Sequence, residues 1–559
     1  MKVYEADHIR NVTLVGHSGS GKTQLTSAML FDTDSLNRLG LVDEGTSATD
    51  YDEEEISRKH TLSASTAFAE WGKTKINLID TPGMANFFSD ARSSLRIADA
   101  ALIVVDAVAG AEVLTEKVWT AAEEMNLPCV VVLNRLDRER ASLSRALESL
   151  HQVLGRTVVP IQLPIGDEKD FKGIVDLVAM QAVTFSADGK TPAVGEVPSE
   201  LAEEATAARE ALIELVAEAD DQLMEQFFES GTLTQEQLEA GLKTATAGRQ
   251  VFPLVCTSAT ANLGVQPLLD AIVTYVPSPA ERKLPVIDES TGDSASYDVA
   301  DSTPSALVWK TVADPFAGRI TMFRVATGSV QADSTIHNVT RNTAERVGSV
   351  ALMQGKNQES VSEIKAGDLG TVSKLKETRT GDTLAAKDKS WRFPAFQFTE
   401  PVLSYAIEPK SRGDEEKIST ALQRLQEEDP TLRYARDSQT SELLLSGQGQ
   451  LHIEVTVAKL KRRFGVEVNL KLPRIPYRET IKAATEAHGR HKKQTGGHGQ
   501  FGDCKIKVAP LPRGEDFKFV DEIFGGSIPR GFIPAVEKGI QEARTRGYLA
   551  GYPMVDFEV

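Results

Sequence analysis

The segment Gly16-His-Ser-Gly-Ser-Gly-Lys-Thr23 gives the strongest indication of which fold the first part of the chain adopts. It fits the pattern G-x-x-x-x-G-K-[ST], follows an apolar run at 12–15 and precedes a stretch with helical spacing of apolar residues. Backbone N–H groups of such a loop wrap phosphates, and the helix N-terminus adds positive potential. A plain glycine turn is the alternative, but the flanking strand and helix favour a phosphate-binding loop.

This loop predicts specific roles for its last two residues. Lys22 is expected to contact the β- and γ-phosphates of a nucleotide, and Thr23 is expected to ligate Mg²⁺. The predicted phosphate-binding residues are Gly16, His17, Ser18, Gly19, Ser20, Gly21, Lys22 and Thr23.

Apolar strand-like runs alternate with helical stretches through the first 135 residues. The runs lie at 12–15, 76–79, 101–105 and 129–133, with another at 251–255, and helices are expected at 93–98 and 113–124. Such near-continuous apolar runs suit a parallel sheet that is buried on both faces. The sequence therefore predicts an α/β nucleotide-binding domain.

Two further motifs follow strands of this predicted sheet. Asp80-Thr-Pro-Gly83 follows one strand, where a carboxylate can hold Mg²⁺ through water and the Gly83 N–H can sense a γ-phosphate. Alone this tetrapeptide is an ordinary turn, but one strand after a phosphate loop it indicates a nucleotide switch. Asn134-Arg-Leu-Asp137 resembles N-K-x-D, whose Asp accepts hydrogen bonds from guanine N1 and N2.

The base pocket is expected to be completed by Ser258 and the backbone beside it. Arg135 stands where Lys is usual, and these two side chains are not interchangeable although either can pack over a base. The predicted nucleotide-binding residues outside the phosphate loop are Asp80, Thr81, Pro82, Gly83, Asn134, Arg135, Asp137, Ser258 and Ala259.

The 559-residue chain is too long for one hydrophobic core. Residues 156–250 interrupt the α/β pattern and are interpreted as an inserted subdomain. The Pro, Ser, Asp and Gly residues of 277–302 predict a linker, short β-rich runs at 306–384 predict a small barrel, and 401–471 follow the βαββαβ order of a ferredoxin-like unit. Another α/β segment, with a helix at 535–546, ends the chain.

Composition narrows the class of protein. No apolar run approaches the roughly 18 residues of a membrane span. The three cysteines are widely separated, which fits a reducing, cytoplasmic location. A formal net charge of −18 should repel RNA at long range, so any RNA contact needs a local basic segment such as 488–496. Arg490, Lys492 and Lys493 are the candidates there, with a solvated charge run as the alternative.

The ordered motifs resemble those of the translational GTPases, and among them elongation factor G. Further segments that look like that family's signatures lie at 314–318, 408–410, 427–430, 447–452, 477–479 and 496–502. The resemblance implies a multidomain α/β protein with GTP or GDP and Mg²⁺ as ligands. It also implies the ribosome, with its rRNA and proteins, and the tRNA–mRNA complex in the decoding site as partners. Neither a membrane nor an oligomer is implied.

The resemblance implies four domains. They are a P-loop GTPase domain at 1–285 with its insertion at about 156–250, a β-barrel at 303–395, a ferredoxin-like domain at 398–473 and a partial fourth domain at 476–559. The family's fourth domain continues further and a fifth follows, so we expect a C-terminally incomplete chain that does not translocate efficiently.

The family resemblance also assigns residues 44–61 to a first switch. Arg58 and Thr61 stand where the family has R-G-I-T, and Thr61 is expected to close onto Mg²⁺ in the GTP state. The metal ligands are then Thr23, Thr61 and Asp80, the last through water, and a solvated acidic loop is the alternative interpretation of the segment.

Four departures from the family pattern cluster around the γ-phosphate: Gly19, Lys59, His60 and Met84. The family has His at position 84, where it orients the attacking water, and a thioether has no N–H donor. Thr61, Gly83 and Met84 are therefore the candidate catalytic positions, with hydrolysis weakened or differently triggered. The pattern indicates a divergent member of the family.

Three functions remain open at this point. The first is a GTPase that couples hydrolysis to tRNA–mRNA translocation on the ribosome. The second is a GTP-dependent ribosome-binding regulator with weak or no ribosome-stimulated hydrolysis. An unrelated P-loop ATPase is the third, and Asn134 and Asp137 speak against it.

Overall fold

The computed structural model describes residues 3–186, 188–314, 318–387 and 389–559. Pro315, Phe316 and Ala317 of the signature at 314–318 lie outside these residues. The chain divides into two compact units. One comprises Met1–Ser404, Pro409–Tyr434 and Leu445–Asn469, and the other comprises Tyr405–Glu408, Ala435–Leu444 and Leu470–Val559.

The nucleotide domain alternates strands and helices along the chain. Up to the insertion these are β1 Ile9–Val15, α1 Lys22–Asp32, α2 Glu53–Arg58, β2 Ser65–Trp71, β3 Thr74–Asp80, α3 Phe88–Leu95, β4 Ala100–Asp106, α4 Val113–Glu124, β5 Cys129–Asn134, α5 Leu143–Leu154 and β6 Val158–Pro160. The remainder are β7 Gln162–Ile165, β8 Gly173–Asp176, β9 Gln181–Phe185, β10 Pro192–Gly195, α6 Ala202–Glu218, α7 Asp221–Ser230, α8 Gln235–Ala247, β11 Phe252–Cys256 and α9 Val265–Tyr275.

A seven-stranded sheet of order β2-β3-β1-β4-β5-β11-β6 forms the centre of this domain. Its pairs are parallel except for β2 with β3. Strands β1, β3, β4, β5 and β11 are buried along their whole length, because two apolar clusters cover the two faces of the sheet. The predicted parallel α/β sheet is confirmed.

One predicted helix of this domain is misplaced. A helix was expected at 93–98, but α3 begins at Phe88 and ends at Leu95. Beyond it, Arg96 N bonds to Ser93 O and Ile97 N to Ser94 O, so the chain tightens into i→i+3 turns before β4 begins.

Short strands follow the nucleotide domain. They are β12 Val286–Asp288, β13 Ser294–Ala295, β14 Ser305–Asp314, β15 Gly318–Thr327, β16 Ser329–Gln331, β17 Thr335–Asn338, β18 Thr343–Arg346, β19 Val350–Gln354, β20 Asn357–Val361, β21 Glu363–Lys365, β22 Leu369–Ser373, β23 Thr383–Ala385 and β24 Trp391–Arg392. The predicted barrel region forms an eight-stranded antiparallel sheet of order β18-β17-β23-β14-β15-β22-β19-β20 around its own core.

The prediction that 277–302 is only a linker is wrong. Strands β12 and β13 pair within it, and β12 also pairs with β24. Tyr297 stacks on Trp391 at 5.3 Å between ring centroids, and Leu284 and Val286 are buried beside them. A few apolar residues therefore fix a segment whose composition is that of a loop.

The ferredoxin-like region follows the predicted βαββαβ order. Its elements are β25 Leu403–Pro409, α10 Glu415–Glu428, β26 Arg433–Arg436, β27 Leu443–Gly447, α11 Gln450–Phe464 and β28 Val468–Lys471. The last segment contains β29 Thr485–Lys493, β30 Gln500–Pro510, β31 Phe517–Lys518, α12 Ile533–Arg544 and β32 Phe557–Glu558, in a sheet of order β29-β30-β32-β31. Within the described residues, every helix is too short or too polar to cross a lipid bilayer.

Candidate functional site

The phosphate loop connects β1 to the N-terminus of α1. A Cβ on Gly16 would lie 2.3 Å from Val104 O, and one on Gly21 would lie 2.4 Å from Asn134 Nδ2. Both glycines also have positive φ, at 142° and 92°. Close approach and backbone conformation together require glycine at these two positions.

The Lys22 side chain lies inside this loop. Its ammonium donates hydrogen bonds to Gly16 O at 3.1 Å and His17 O at 2.8 Å. Burial lowers the pKa of Lys22 to about 8, although the nearby carboxylates of Asp80 and Asp50 act in the opposite direction. A buried cation held mainly by neutral carbonyl oxygens favours an anionic ligand, as a phosphate would be.

Hydroxyl and carboxyl oxygens converge beside Lys22. Thr23 Oγ1 lies 2.8 Å from Thr61 Oγ1, which lies 2.8 Å from Asp50 Oδ1. Thr49 donates to Asp80 Oδ2 at 2.7 Å. Residues 44–61, which contain α2 and are predicted to be the first switch, therefore meet the phosphate loop and the end of β3 in one place.

The Asp80 carboxyl is the group that shows whether this site suits a metal ion. Among the described residues its Oδ1 atom is buried without a hydrogen-bond partner. Burial raises the pKa of Asp80, and burial with the neighbouring charges of Asp80 and Glu55 raises that of Asp50 to about 8. This oxygen-rich, acidic environment fits Mg²⁺, which prefers oxygen ligands and few carboxylates.

The Asp80–Gly83 motif lies directly against the phosphate loop. A Cβ on Gly83 would lie 2.4 Å from Lys22 Nζ and 2.7 Å from Ser18 N, so only glycine fits there. Thr81 donates to Leu14 O at 2.6 Å and so fastens the motif to β1. The loop residues of this part of the site are His17, Ser18, Gly19, Ser20, Thr81 and Pro82.

Met84 lies in an apolar environment. It packs against a cluster of Leu62, Phe87 and Val455, the last of which lies on α11. Position 84 therefore presents a thioether among apolar side chains at the place where the family resemblance implies an imidazole.

The third part of the site lies at the ends of β5 and β11. Asn134 donates to Ser20 O at 2.9 Å and accepts from Ala259 N at 3.0 Å. Ser258 donates to Asp137 Oδ1 at 2.6 Å, which orients that carboxylate. These contacts bring the phosphate loop and both predicted base-recognition segments together.

Three buried polar residues of this site were not predicted from the sequence. Thr49 and Asp50 bond to Asp80 and Thr61, and Asp106 pairs with Arg135 at 2.9 Å. Thr49 and Asp50 lie within the segment 44–61 that the family resemblance assigns to the first switch, but no motif in that segment identifies these two residues. Asp106 directly follows the predicted strand 101–105, at the same edge of the sheet as Asp80, and this position was the signal that could have identified it.

The basic patch belongs to the other compact unit and is described by itself. Arg490, Lys492 and Lys493 lie exposed on β29, which pairs with β30. The Arg490 guanidinium lies 3.6 Å from Asp503 Oδ2, so part of its charge is offset.

Comparison with known proteins agrees with this architecture. Family models match four consecutive parts of the chain. They describe the elongation factor Tu GTP-binding domain at 7–278, elongation factor G domain 2 at 303–387, elongation factor G domain III at 398–472 and elongation factor G domain IV at 473–559. A crystal structure of a protein from Thermus thermophilus is 35% identical with a TM-score of 0.86, and the match covers 99% of this chain and 80% of that one.

A GTP-binding domain of this type, followed by these three domains, defines a translational GTPase. The chain belongs to the elongation factor G family. It is therefore a translation factor with a GTPase domain, and such a domain implies guanine-nucleotide binding.

Proposed function

We propose that this chain binds GTP and GDP together with Mg²⁺ and acts on the ribosome, where it couples GTP hydrolysis to tRNA–mRNA translocation. The observation that supports nucleotide and Mg²⁺ binding is the Asp80 Oδ1 atom, which is buried near the paired Thr23 and Thr61 hydroxyls and has no hydrogen-bond partner among the described residues. The ribosomal part of the proposal rests on the family to which the chain belongs. A buried oxygen without a hydrogen-bond partner destabilises the fold unless a ligand interacts with it.

Each residue of the site has a role in this proposal. Lys22 binds the β- and γ-phosphates, and the Thr23 and Thr61 hydroxyls with Asp80 hold Mg²⁺, Asp80 through water. The bound ion offsets the negative charge of the phosphates. Asp137 accepts hydrogen bonds from guanine N1 and N2, and its contact with Ser258 fixes its orientation.

Met84 supports a second candidate function, a GTP-dependent ribosome-binding regulator with weak hydrolysis. A thioether cannot donate a hydrogen bond to an attacking water. Its packing against Leu62, Phe87 and Val455 also gives position 84 a structural reason to stay apolar. Nucleotide binding and ribosome binding are common to both candidates, and only the hydrolytic step separates them.

GTP turnover with and without ribosomes tests the two candidates. We expect slow ribosome-stimulated turnover for the unmodified chain and an increase of about 100-fold for Met84→His, because one positioned polar contact contributes about that factor. Met84→Leu is the matched control, since it keeps the apolar contact and should stay slow. Turnover by the unmodified chain equal to that of an ordinary elongation factor G would contradict the weak-hydrolysis candidate.

A translocation assay then tests the first candidate. Movement of mRNA on ribosomes by the unmodified chain, dependent on GTP, would support coupling to translocation. Ribosome binding without movement would leave the regulator as the function.

A further inference from the structure

Lys310 is a buried lysine outside the nucleotide site whose ammonium reaches residues beside both switches. It lies on β14 of the sheet domain, and its side chain is 4% exposed. The register of β14 against β15 shifts between Val308 and Lys310, so Trp309 is an extra residue in the pairing. Such a bulge redirects the side chains beside it, and bulges are common next to functional sites.

The Lys310 ammonium has three acceptors. It donates to Ser63 Oγ at 2.6 Å, to Ala64 O at 2.9 Å and to Asp90 Oδ2 at 2.6 Å. An ammonium has three protons, so its donor capacity is fully used. Asp90 Oδ2 also accepts from Ala64 N at 2.6 Å, which closes a ring of hydrogen bonds around Ala64.

These partners connect to the nucleotide site through the chain. Ser63 and Ala64 come two and three residues after Thr61, and Asp90 lies on α3, which follows the Asp80–Gly83 motif. Glu55 of α2 accepts from Leu62 N and Ser63 N, so the same short segment is also tied to the first switch helix.

Other buried ion pairs between the nucleotide domain and the sheet domain lack this connection. Lys75 bonds to Asp368 at 2.8 Å, and it lies at the opposite end of β3 from Asp80. Arg324 pairs with Asp99 at 2.6 Å, beyond the C-terminus of α3. A general role in holding two domains together therefore does not account for the partners of Lys310.

We propose that Lys310 is a positioning residue for the GTP-bound state, in which it holds the chain after Thr61 against the helix after Gly83. This inference rests on the proposed GTP site. Because Thr61 is proposed to close onto the γ-phosphate side of the site, loss of Lys310 weakens GTP binding and leaves GDP binding nearly unchanged.

The test measures the affinities of the intact chain and of Lys310→Met for GDP and for a non-hydrolysable GTP analogue. We expect the preference for the GTP analogue over GDP to fall about tenfold, within the usual range of coupling between sites. Lys75→Met is the matched control, because it removes another buried Lys–Asp pair between the same domains; it should lower Tm and leave the preference unchanged.

Asp90→Asn is the second variant, in case circular dichroism shows that Lys310→Met does not fold. It keeps the shape of the side chain and removes the charge that faces Lys310, so a smaller fall in the same preference is expected. An unchanged preference in the folded variants, or an equal fall in Lys75→Met, overturns the inference. Failure of the unmodified chain to bind guanine nucleotide would instead contradict the proposed function itself.

Discussion

At the scale of single residues, the site combines buried charges that are costly without a ligand. Lys22 is buried among backbone carbonyl oxygens, and Asp50, Glu55 and Asp80 are buried within the same region. Burial raises the pKa of Glu55 to about 7 and that of Asp50 to about 8. Buried groups with pKa values shifted in this way cluster at functional sites, and here they lie beside the phosphate loop.

Asp137 provides a test of base recognition. Asp137→Asn replaces one acceptor oxygen with a donor that faces the donors of guanine, so GTP and GDP affinities should fall about 10- to 100-fold. Xanthine nucleotides, which carry a carbonyl oxygen at C2, should then bind better than GTP. Competition against a fluorescent nucleotide measures both effects.

Asp106→Asn is the control for this change. It alters the pair with Arg135 at the edge of the same pocket without altering the proposed base acceptor. It should not invert the order of guanine and xanthine. If Asp137→Asn still prefers GTP over xanthine nucleotides, Asp137 does not recognise the base.

At the scale of elements, an ion network joins α2, α10 and α11. Arg463 of α11 lies 2.5 Å from Asp52 Oδ2 at the start of α2 and 2.9 Å from Glu428 Oε2 at the end of α10. Lys459 lies 2.7 Å from the other Glu428 oxygen. Asp52 also caps α2 by accepting from Glu54 N, so both contacts fix the N-terminus of this helix.

Glu428 makes this network sensitive to acid. Burial alone would raise the pKa of its carboxyl, but the charges of Lys459 and Arg463 outweigh burial and lower the pKa to about 2. A carboxyl whose pKa is lower in the folded state stabilises the fold above its unfolded pKa of about 4.5, and this contribution disappears as pH falls towards 2.

The lowered pKa of Glu428 predicts how stability changes when its charge is removed. Glu428→Gln should lower stability by about 3 kcal/mol at neutral pH, the value of a shift of this size. The difference in Tm between variant and unmodified chain should shrink from about pH 4.5 downwards and be nearly absent at about pH 2. Glu416→Gln, on the exposed part of α10, is the control, and its Tm should match that of the unmodified chain. A Tm difference that does not depend on pH would show that the charge of Glu428 is not the cause.

At the scale of the whole molecule, the distribution of charge decides how the chain meets RNA. The net charge is −18, so binding to a polyanion depends on local basic groups. Arg490, Lys492 and Lys493 are exposed on one strand and form such a group. We propose that this patch contacts RNA phosphates.

Salt dependence tests that proposal. Replacing Arg490, Lys492 and Lys493 together with Gln should reduce the slope of log K against log salt for ribosome or RNA binding by about 2 to 3, because each phosphate contact contributes about one unit or slightly less. Lys505→Gln with Lys507→Gln on the paired strand β30 is the matched control and should change the slope less. An unchanged slope in the triple variant would indicate a solvated charge run.

Sequence patterns alone were enough to predict the parallel sheet, the βαββαβ order of residues 401–471 and the three loops proposed to bind the nucleotide. Each of these depends on local signals, namely apolar runs of strand length, glycines at fixed spacing and motifs that follow strands. The assignments of Lys22, Asp80, Asn134 and Asp137 needed only those signals, and they stay predictions until binding is measured.

The sequence does not reveal which polar side chains share a buried site, because this depends on how the chain folds. Thr49 and Asp50 reach Asp80 and Thr61, and Lys310 reaches Ser63 from a different domain. The strand pair within 277–302 likewise depends on Tyr297 meeting Trp391 far along the chain. Contacts between residues so distant in sequence leave no periodic pattern, because their energy comes from packing and desolvation that exist only in the folded chain.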